Sequence, residues 1–400
     1  MDIALWRLWC CCYRKEEKKM NTPAEYGGKR RQFEIAPYGA VYEALRGTIA
    51  DAGGVLQLHP AIGERLSMLD GCYGNWPASP TYHRFHPVHD FADNELDDDL
   101  RQLKHITAQD ILDRSEGSRR MRIFPGPRVG EPMAQQMFEM ANQVMGDNNG
   151  KCTFIKPLGP ADWLVPLRMM FIEAKTDLSD YAYGNMDEFV VAPGTIVPAN
   201  HPLSFRGMIE EEFIAPLVEK CGLRRENVKI PNPYNSADYD DWLTERGVDC
   251  VYAGVGWGVH VAFFDPSAGL VWELQNEKNS IGGIIRPLTF AEASSMGIME
   301  ITLDAVSNMQ TALHSGGGNW YEALVAAYSI GLKQILMAPR MRIWMDGFVV
   351  DDQSWQRWTA KTAFLPKFTS LLPATATLAC PDVEFNFAEQ VAEQAIGKLH

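Results

Sequence analysis

The chain has 400 residues with a formal net charge of −14, 46% hydrophobic and 22% charged. That much apolar side chain can fill a large core, and the length exceeds an ordinary single domain, so one large α/β domain with an added region, or two domains, is expected. The negative charge opposes nonspecific attraction to nucleic acid or to an anionic membrane, so neither is expected as a partner; a small local anion site stays compatible with it.

Residues 1–20 combine an apolar stretch holding Trp6, Trp9 and the run Cys10-Cys11-Cys12 with the charged run Arg14 to Lys19. The stretch is too short to cross a bilayer and shows no signal-peptide cleavage pattern. It reads as a disordered leader or as a start upstream of Met20, with a lipidated cysteine cluster beside basic residues as the alternative. The other five cysteines, Cys72, Cys152, Cys221, Cys250 and Cys380, are widely scattered. They form neither a disulfide framework nor a paired metal motif, which fits a reducing, cytoplasmic setting.

Residues 21–118 are expected to form an N-terminal extension, mostly helical, packed on the rest. Tyr38 to Asp51 carries Val41, Tyr42, Leu45 and Ile49 at helical spacing and stops at Gly53-Gly54. Further helices are predicted over Ile62 to Leu69, Asp93 to Leu103 and Thr107 to Arg114, the last capped by Thr107. The aromatic-rich stretch between Gly71 and Asp90 reads as an ordered loop. His83, His86 and His89 sit three apart there, with Asp90 and Asp93 nearby, but Pro87 prevents a helix from aligning them and the spacing fits no zinc pattern. No metal is therefore expected.

From Ser118 the pattern is regular. A strand over Met121 to Phe124, a helix over Glu131 to Met145, a strand over Cys152 to Ile155 and a turn and helix over Pro160 to Ala174 follow one another. A third strand, Tyr181 to Tyr183, leads to Asn185-Met-Asp-Glu-Phe-Val190 at its end. A buried strand over Val248 to Ala253 runs into the glycine turn Gly254 to Pro266. Strands alternating with helices predict a doubly wound, mostly parallel sheet, whose ligands lodge beyond the carboxyl ends of the strands. Two such ends carry groups suited to proton transfer: Asp187 and Glu188 on one, His260 and Asp265 on the other. An imidazole trades a proton near neutral pH, and a carboxylate beside it fixes its tautomer. The competing readings are plain ones: solvated loop acids and a structural histidine.

These stretches also resemble a known family. Asn185 to Val190 is similar to the N-M-D-E-Y-V segment of glucosamine-6-phosphate deaminases (isomerases), and His201-Pro-Leu-Ser-Phe205 to the H-P-x-S-Y that follows it. Gly254 to Pro266 resembles that family's G-V-G-x-D-G-H-I-A-F-N-E-P. Ala327 to Ala338 is similar to its A-L-T-V-G-x-G-T-L-L-D-A helix start and turn, and Arg342 to Asp346 to the strand after it. The likeness runs from about Met121 to about Glu393, at the level of a superfamily that includes 6-phosphogluconolactonases, so residues 119–400 are expected to form the deaminase-like α/β domain, a modified Rossmann-like sheet.

The resemblance implies chemistry on an open-chain sugar. Asp187 would move a proton between C2 and C1 and interconvert aldose and ketose, with Glu188 beside it. His260 would promote ring opening, oriented by Asp265. The sugar contacts would come from Gly159 and Asp162, from His201, Ser204 and Arg206, and from Gly256 and Gly258. A homo-oligomer is implied; no cofactor is required, because a base and a polarising donor suffice.

The departures shape the expectation. Gly258-Val259 stands where the family has Asp-Gly, which weakens deamination more than isomerisation. Asp265 replaces a glutamate, so its contact to His260 is expected to be looser or bridged by water. The loop Pro157-Leu-Gly-Pro-Ala-Asp162 replaces the family's phosphate cradle; Pro160 removes a donor and Asp162 adds a negative charge. An unphosphorylated sugar or amino sugar is expected, or a phosphate gripped otherwise, by Arg206, Arg286 or Arg340. Three functions compete: an isomerase or isomerase/deaminase relative, a lactonase-type hydrolase, and a non-catalytic sugar-binding protein.

Overall fold

The alternation of apolar strands and amphipathic helices closes into a seven-stranded parallel sheet. The computed structural model describes residues 102–395, apart from 104, 127, 193, 266–267, 269–287, 304, 319–322, 347–348, 351–352, 355 and 366. The leader, the helices expected at 38–51 and 62–69 and the three histidines of 83–89 lie outside the described residues, as does most of the helix expected at 93–103. Thr107 caps helix α1 (Ala108–Asp113) through a reciprocal box with Asp110, as its position before the apolar run requires.

The sheet strands are β1 (Arg119–Phe124), β2 (Cys152–Lys156), β3 (Tyr181–Asn185), and, after the second sheet's β4 (Asp187–Ala192) and β5 (Thr195–Ile196), β6 (Val228–Lys229) and β7 (Cys250–Ala253). Helices α2 (Gly130–Asp147) and α3 (Leu164–Glu173) connect β1 to β2 and β2 to β3. Between β5 and β6 run α4 (Phe205–Ile209), a π-helical turn and α5 (Ala215–Cys221), and α6 (Ser236–Arg246) precedes β7. The chain continues through α7 (Phe290–Ser295), β8 (Met299–Thr302), α8 (Ala305–His314), β9 (Ala326–Ser329), α9 (Leu332–Ile335) and β10 (Arg340–Met345). A small hairpin, α10 (Arg357–Lys361), a last sheet strand (Asp382–Ala388) and a final helical turn complete it. With the hairpin strands counted as β11 and β12, that last strand is β13.

Every position of β2, β3 and β7 is buried, as expected of parallel strands covered on both faces. On one face α2 seats Met133, Met137, Ala141 and Val144, successive turns of one stripe, with α3 packed beside it. The strand order is β1-β13-β10-β7-β2-β3-β6, all pairs parallel. From β2 the chain winds outward to β3 and β6; from β7 it winds the other way, through β10 to β13. The reversal falls between β2 and β7, and in such sheets the crevice outside that point receives ligands.

A second sheet, β5-β4-β9-β8, is antiparallel and went unforeseen. The segment Asn185 to Val190, expected to be the loop ending the third strand, forms most of β4, pairing Asp187 with Ser329 and Phe189 with Ala327. The Ala327 to Ala338 segment, expected to open a helix, begins as β9 and turns helical at Leu332. Four consecutive pairings between β4 and β9 supply the backbone partners that local propensity could not reveal.

At the carboxyl end of β2, Lys156 is fully buried. Its Nζ donates to Tyr181 Oη at 2.7 Å and faces the rings of Trp163, Tyr183 and Phe213 at 4.4–4.8 Å. Burial pushes this amine well below the usual lysine range. Cys152, Cys221, Cys250 and Cys380 are unpaired and buried. Among the described residues no helix is long and apolar enough to cross a membrane.

Candidate active site

The loops after β2 and β7 touch where the winding reverses. A Cβ on Gly254 would overlap the carbonyl oxygen of Gly159, so only glycine lets the loops approach this closely. Beyond Gly254 the backbone enters the left-handed region at Val259 (φ 57°) and Ala262 (φ 52°), unfavourable for both side chains and steepest for the β-branched one. The turn is held there from several sides. Gly256 N donates to His260 O at 3.1 Å, Trp257 N to Gln310 Oε1 at 2.8 Å, Gln356 Nε2 to Val255 O at 2.7 Å and Ala374 N to Val259 O at 2.8 Å.

The turn forms one wall of a cavity of about 390 Å³. His260, 6% exposed, opens onto it, with Nδ1 2.9 Å from Asp265 Oδ1, itself wholly buried. The looser or water-bridged contact expected from the shorter aspartate does not occur. Instead Ser307 Oγ, from α8, lies 2.8 Å from His260 Nδ1 and 3.0 Å from Asp265 Oδ1, closing a triangle. Asp187 lines the same cavity from the start of β4. Its position follows from the crossover between sheets: Met186 N donates to Lys156 O at 3.2 Å, Ile330 N to Met186 O at 2.8 Å, and Asn185 Nδ2 to Asp187 O at 2.6 Å. Burial, and secondarily the charge of Glu188, pushes the Asp187 carboxyl well above its usual range.

Glu188 faces away from this chemistry. Its Oε1 accepts from Phe189 N and Phe205 N at 2.9 and 3.1 Å, and its Oε2 from Ser204 Oγ and Arg206 N at 3.0 and 2.7 Å. It therefore anchors the first turn of α4, and Glu188 does not line the cavity. Burial raises its carboxyl, and these four bonds pull the other way.

Of the expected sugar contacts, Gly159, Ser204 and Gly256 line the cavity. Asp162 and His201 instead line an adjoining open groove that shares Ser204, where Asp162 pairs with Arg128 at 3.2 Å. Gly258 is buried within the turn and lines neither space; Arg206 does not either. Arg340 begins β10, at the amino edge opposite the cavity, and Arg286 is outside the described residues. Among the described residues no Lys or Arg lines the cavity, and none of their His, Cys, Asp or Glu groups could hold a metal ion.

One wall was missed altogether. Ser307, Gln310, Thr311 and His314 of α8 all line the cavity. Their spacing of three, four and seven is one helix face, a periodicity present in the sequence but carried by polar residues rather than apolar ones. Another part of the lining is aromatic: Phe189 and Phe263 have ring centroids 5.3 Å apart, and Phe263 lies 5.6 Å from the His260 ring.

No family model and no curated relative matches this chain. Among solved structures, a monomeric glucosamine-6-phosphate deaminase described as a missing link of the NagB superfamily aligns at 13% identity with a TM-score of 0.51, covering 68% of this chain and 99% of its own. A 6-phosphogluconolactonase from Shewanella baltica OS155 aligns at 15% identity and TM-score 0.44, over 67% of this chain and 97% of its own. One from Leishmania guyanensis aligns at 11% and 0.46, over 69% and 98%. The deaminase likeness, at this identity, establishes the fold alone: a doubly wound α/β domain.

Proposed function

We propose that the chain is an aldose–ketose isomerase acting on a sugar or amino sugar without a phosphate. The observation that carries this reading is the meeting of a buried carboxyl, Asp187, whose proton affinity burial raises, and a carboxylate-oriented imidazole, His260, on one cavity at the sheet's reversal point. His260 takes the proton of the anomeric hydroxyl as the ring C–O bond breaks, and returns a proton to the ring oxygen. Asp187 then removes the C2 proton; the electron pair forms the enediol double bond as the C1 carbonyl oxygen takes a proton, which His260 relays from the C2 hydroxyl, and Asp187 delivers its proton to C1 as C2 becomes the carbonyl. A base whose affinity for protons is raised by burial is better matched to a carbon acid. Lack of lining cations among the described residues favours a neutral sugar over a phosphate ester.

The test is C2–H exchange in deuterated water, followed by NMR, with unphosphorylated and phosphorylated hexoses and hexosamines. Exchange with the unphosphorylated sugars, lost in Asp187→Asn, is expected. Lactone hydrolysis without exchange would point to a hydrolase, and sugar binding with neither reaction to a binding protein.

A further inference from the structure

We infer that Ser307 is a positioning residue that locks His260 in the tautomer protonated on Nδ1, leaving Nε2 as the acceptor toward the cavity. The argument is a count of protons. His260 Nδ1, Asp265 Oδ1 and Ser307 Oγ lie within 2.8–3.0 Å of one another, so three short polar contacts need filling. With Asp265 as a carboxylate and hydrogen on Nδ1 and on the Ser307 hydroxyl, Nδ1–H donates to Asp265 Oδ1 and is shared with Ser307 Oγ, while the hydroxyl donates to Asp265 Oδ1. Every contact then holds a proton. With Nδ1 bare, the hydroxyl can fill only one contact, and an imidazole lone pair faces a carboxylate lone pair at 2.9 Å.

Ser307 is itself held. It is 1% exposed, and its carbonyl accepts from Thr311 Oγ1 at 3.1 Å, so its hydroxyl cannot drift with a mobile loop. At the far side of the ring, Gly256 has no side chain to cover Nε2: a Cβ there would overlap that nitrogen. The serine thus does from a neighbouring helix what a longer carboxylate would do alone, fixing both partner and ring.

This rests on the isomerase reading for its catalytic consequence but not for its direct readout. Nitrogen-15 NMR of histidine-labelled protein, with His260 assigned through His260→Gln, is expected to show a protonated Nδ1 and an unprotonated Nε2. Ser307→Ala should mix the tautomers and lower the turnover of C2–H exchange by about 10- to 100-fold with KM nearly unchanged, the cost of one bond to a charged group; Ser307→Thr should restore both. A wild-type spectrum with hydrogen on Nε2 overturns the inference, as does a Ser307→Ala protein with unchanged tautomer and turnover. The wild-type spectrum decides even if the variant fails to fold, and it needs no substrate, so failure of the isomerase reading is seen separately.

Discussion

Gly256 packs against the ring of His260 so closely that a single methyl group would overlap Nε2. Asp265 and Ser307 engage Nδ1, which leaves Nε2 as the ring nitrogen able to meet a ligand in the cavity that Gly256 and His260 line. Gly256→Ala should therefore displace the ring or cover it, and a misplacement of about 1 Å is enough to cost about 100-fold in rate. Steady-state kinetics of the exchange reaction checks this; a fully active Gly256→Ala enzyme would assign the chemistry to another group.

Asp187 makes a prediction with two opposite signs. As a base it must be ionised, so exchange should rise with pH through a value above the ordinary carboxylate range. For stability, a raised folded-state pKa means that the native state binds the proton more tightly than the unfolded chain does. Its contribution is complete below the unfolded value and is lost as pH rises through the folded one. Asp187→Asn should hence abolish exchange yet melt higher than wild type at neutral pH. The two proteins should converge in stability at low pH, which thermal melts at several pH values will show.

That Asp187 and His260 share a cavity was legible because each follows a parallel strand, and the winding of a doubly wound sheet dictates where strand ends meet. Glu188 was not separable from Asp187 in the sequence. Two adjacent acids on a strand point to opposite faces, and only the second sheet decides which face is which. The wall from α8 was hidden for a different reason. Its helical period is written in Ser307, Gln310, Thr311 and His314, but a search for apolar stripes passes over a stripe of polar residues. The antiparallel sheet was illegible because β4 and β9 pair across more than a hundred residues, and such pairing leaves no local mark.

Glu188 should behave as the converse of Asp187. Both its oxygens accept backbone N–H groups at the start of α4, so removing the side chain strands buried donors that each cost about 1–3 kcal/mol. Glu188→Ala should destabilise the fold by about 2–4 kcal/mol. Glu188→Gln should also destabilise, because its amide nitrogen would face a backbone N–H wherever it is placed. Chemical denaturation measures the loss; material that remains folded should keep C2–H exchange within a fewfold of wild type. A stable but inactive Glu188→Gln protein would instead make Glu188 a participant in proton transfer.

Lys156 is a charge-capable group buried with its Nζ on the Tyr181 hydroxyl and against the rings of Trp163, Tyr181, Tyr183 and Phe213. Burial favours its neutral form, so between its lowered folded value and the unfolded value near 10.4 the unfolded chain carries one more proton than the native state. The native state therefore gains stability as pH rises through that window. Lys156→Met keeps the length and apolar contacts of the stem while deleting the titration, at the cost of an unpartnered Tyr181 hydroxyl. At neutral pH these effects oppose each other, and the net change should stay within about 2 kcal/mol. The slope is diagnostic: wild type should gain more stability than Lys156→Met between pH 7 and pH 9.5 in urea titrations. Equal slopes would mean that the buried amine keeps its charge, with the ring faces rather than deprotonation compensating for lost water.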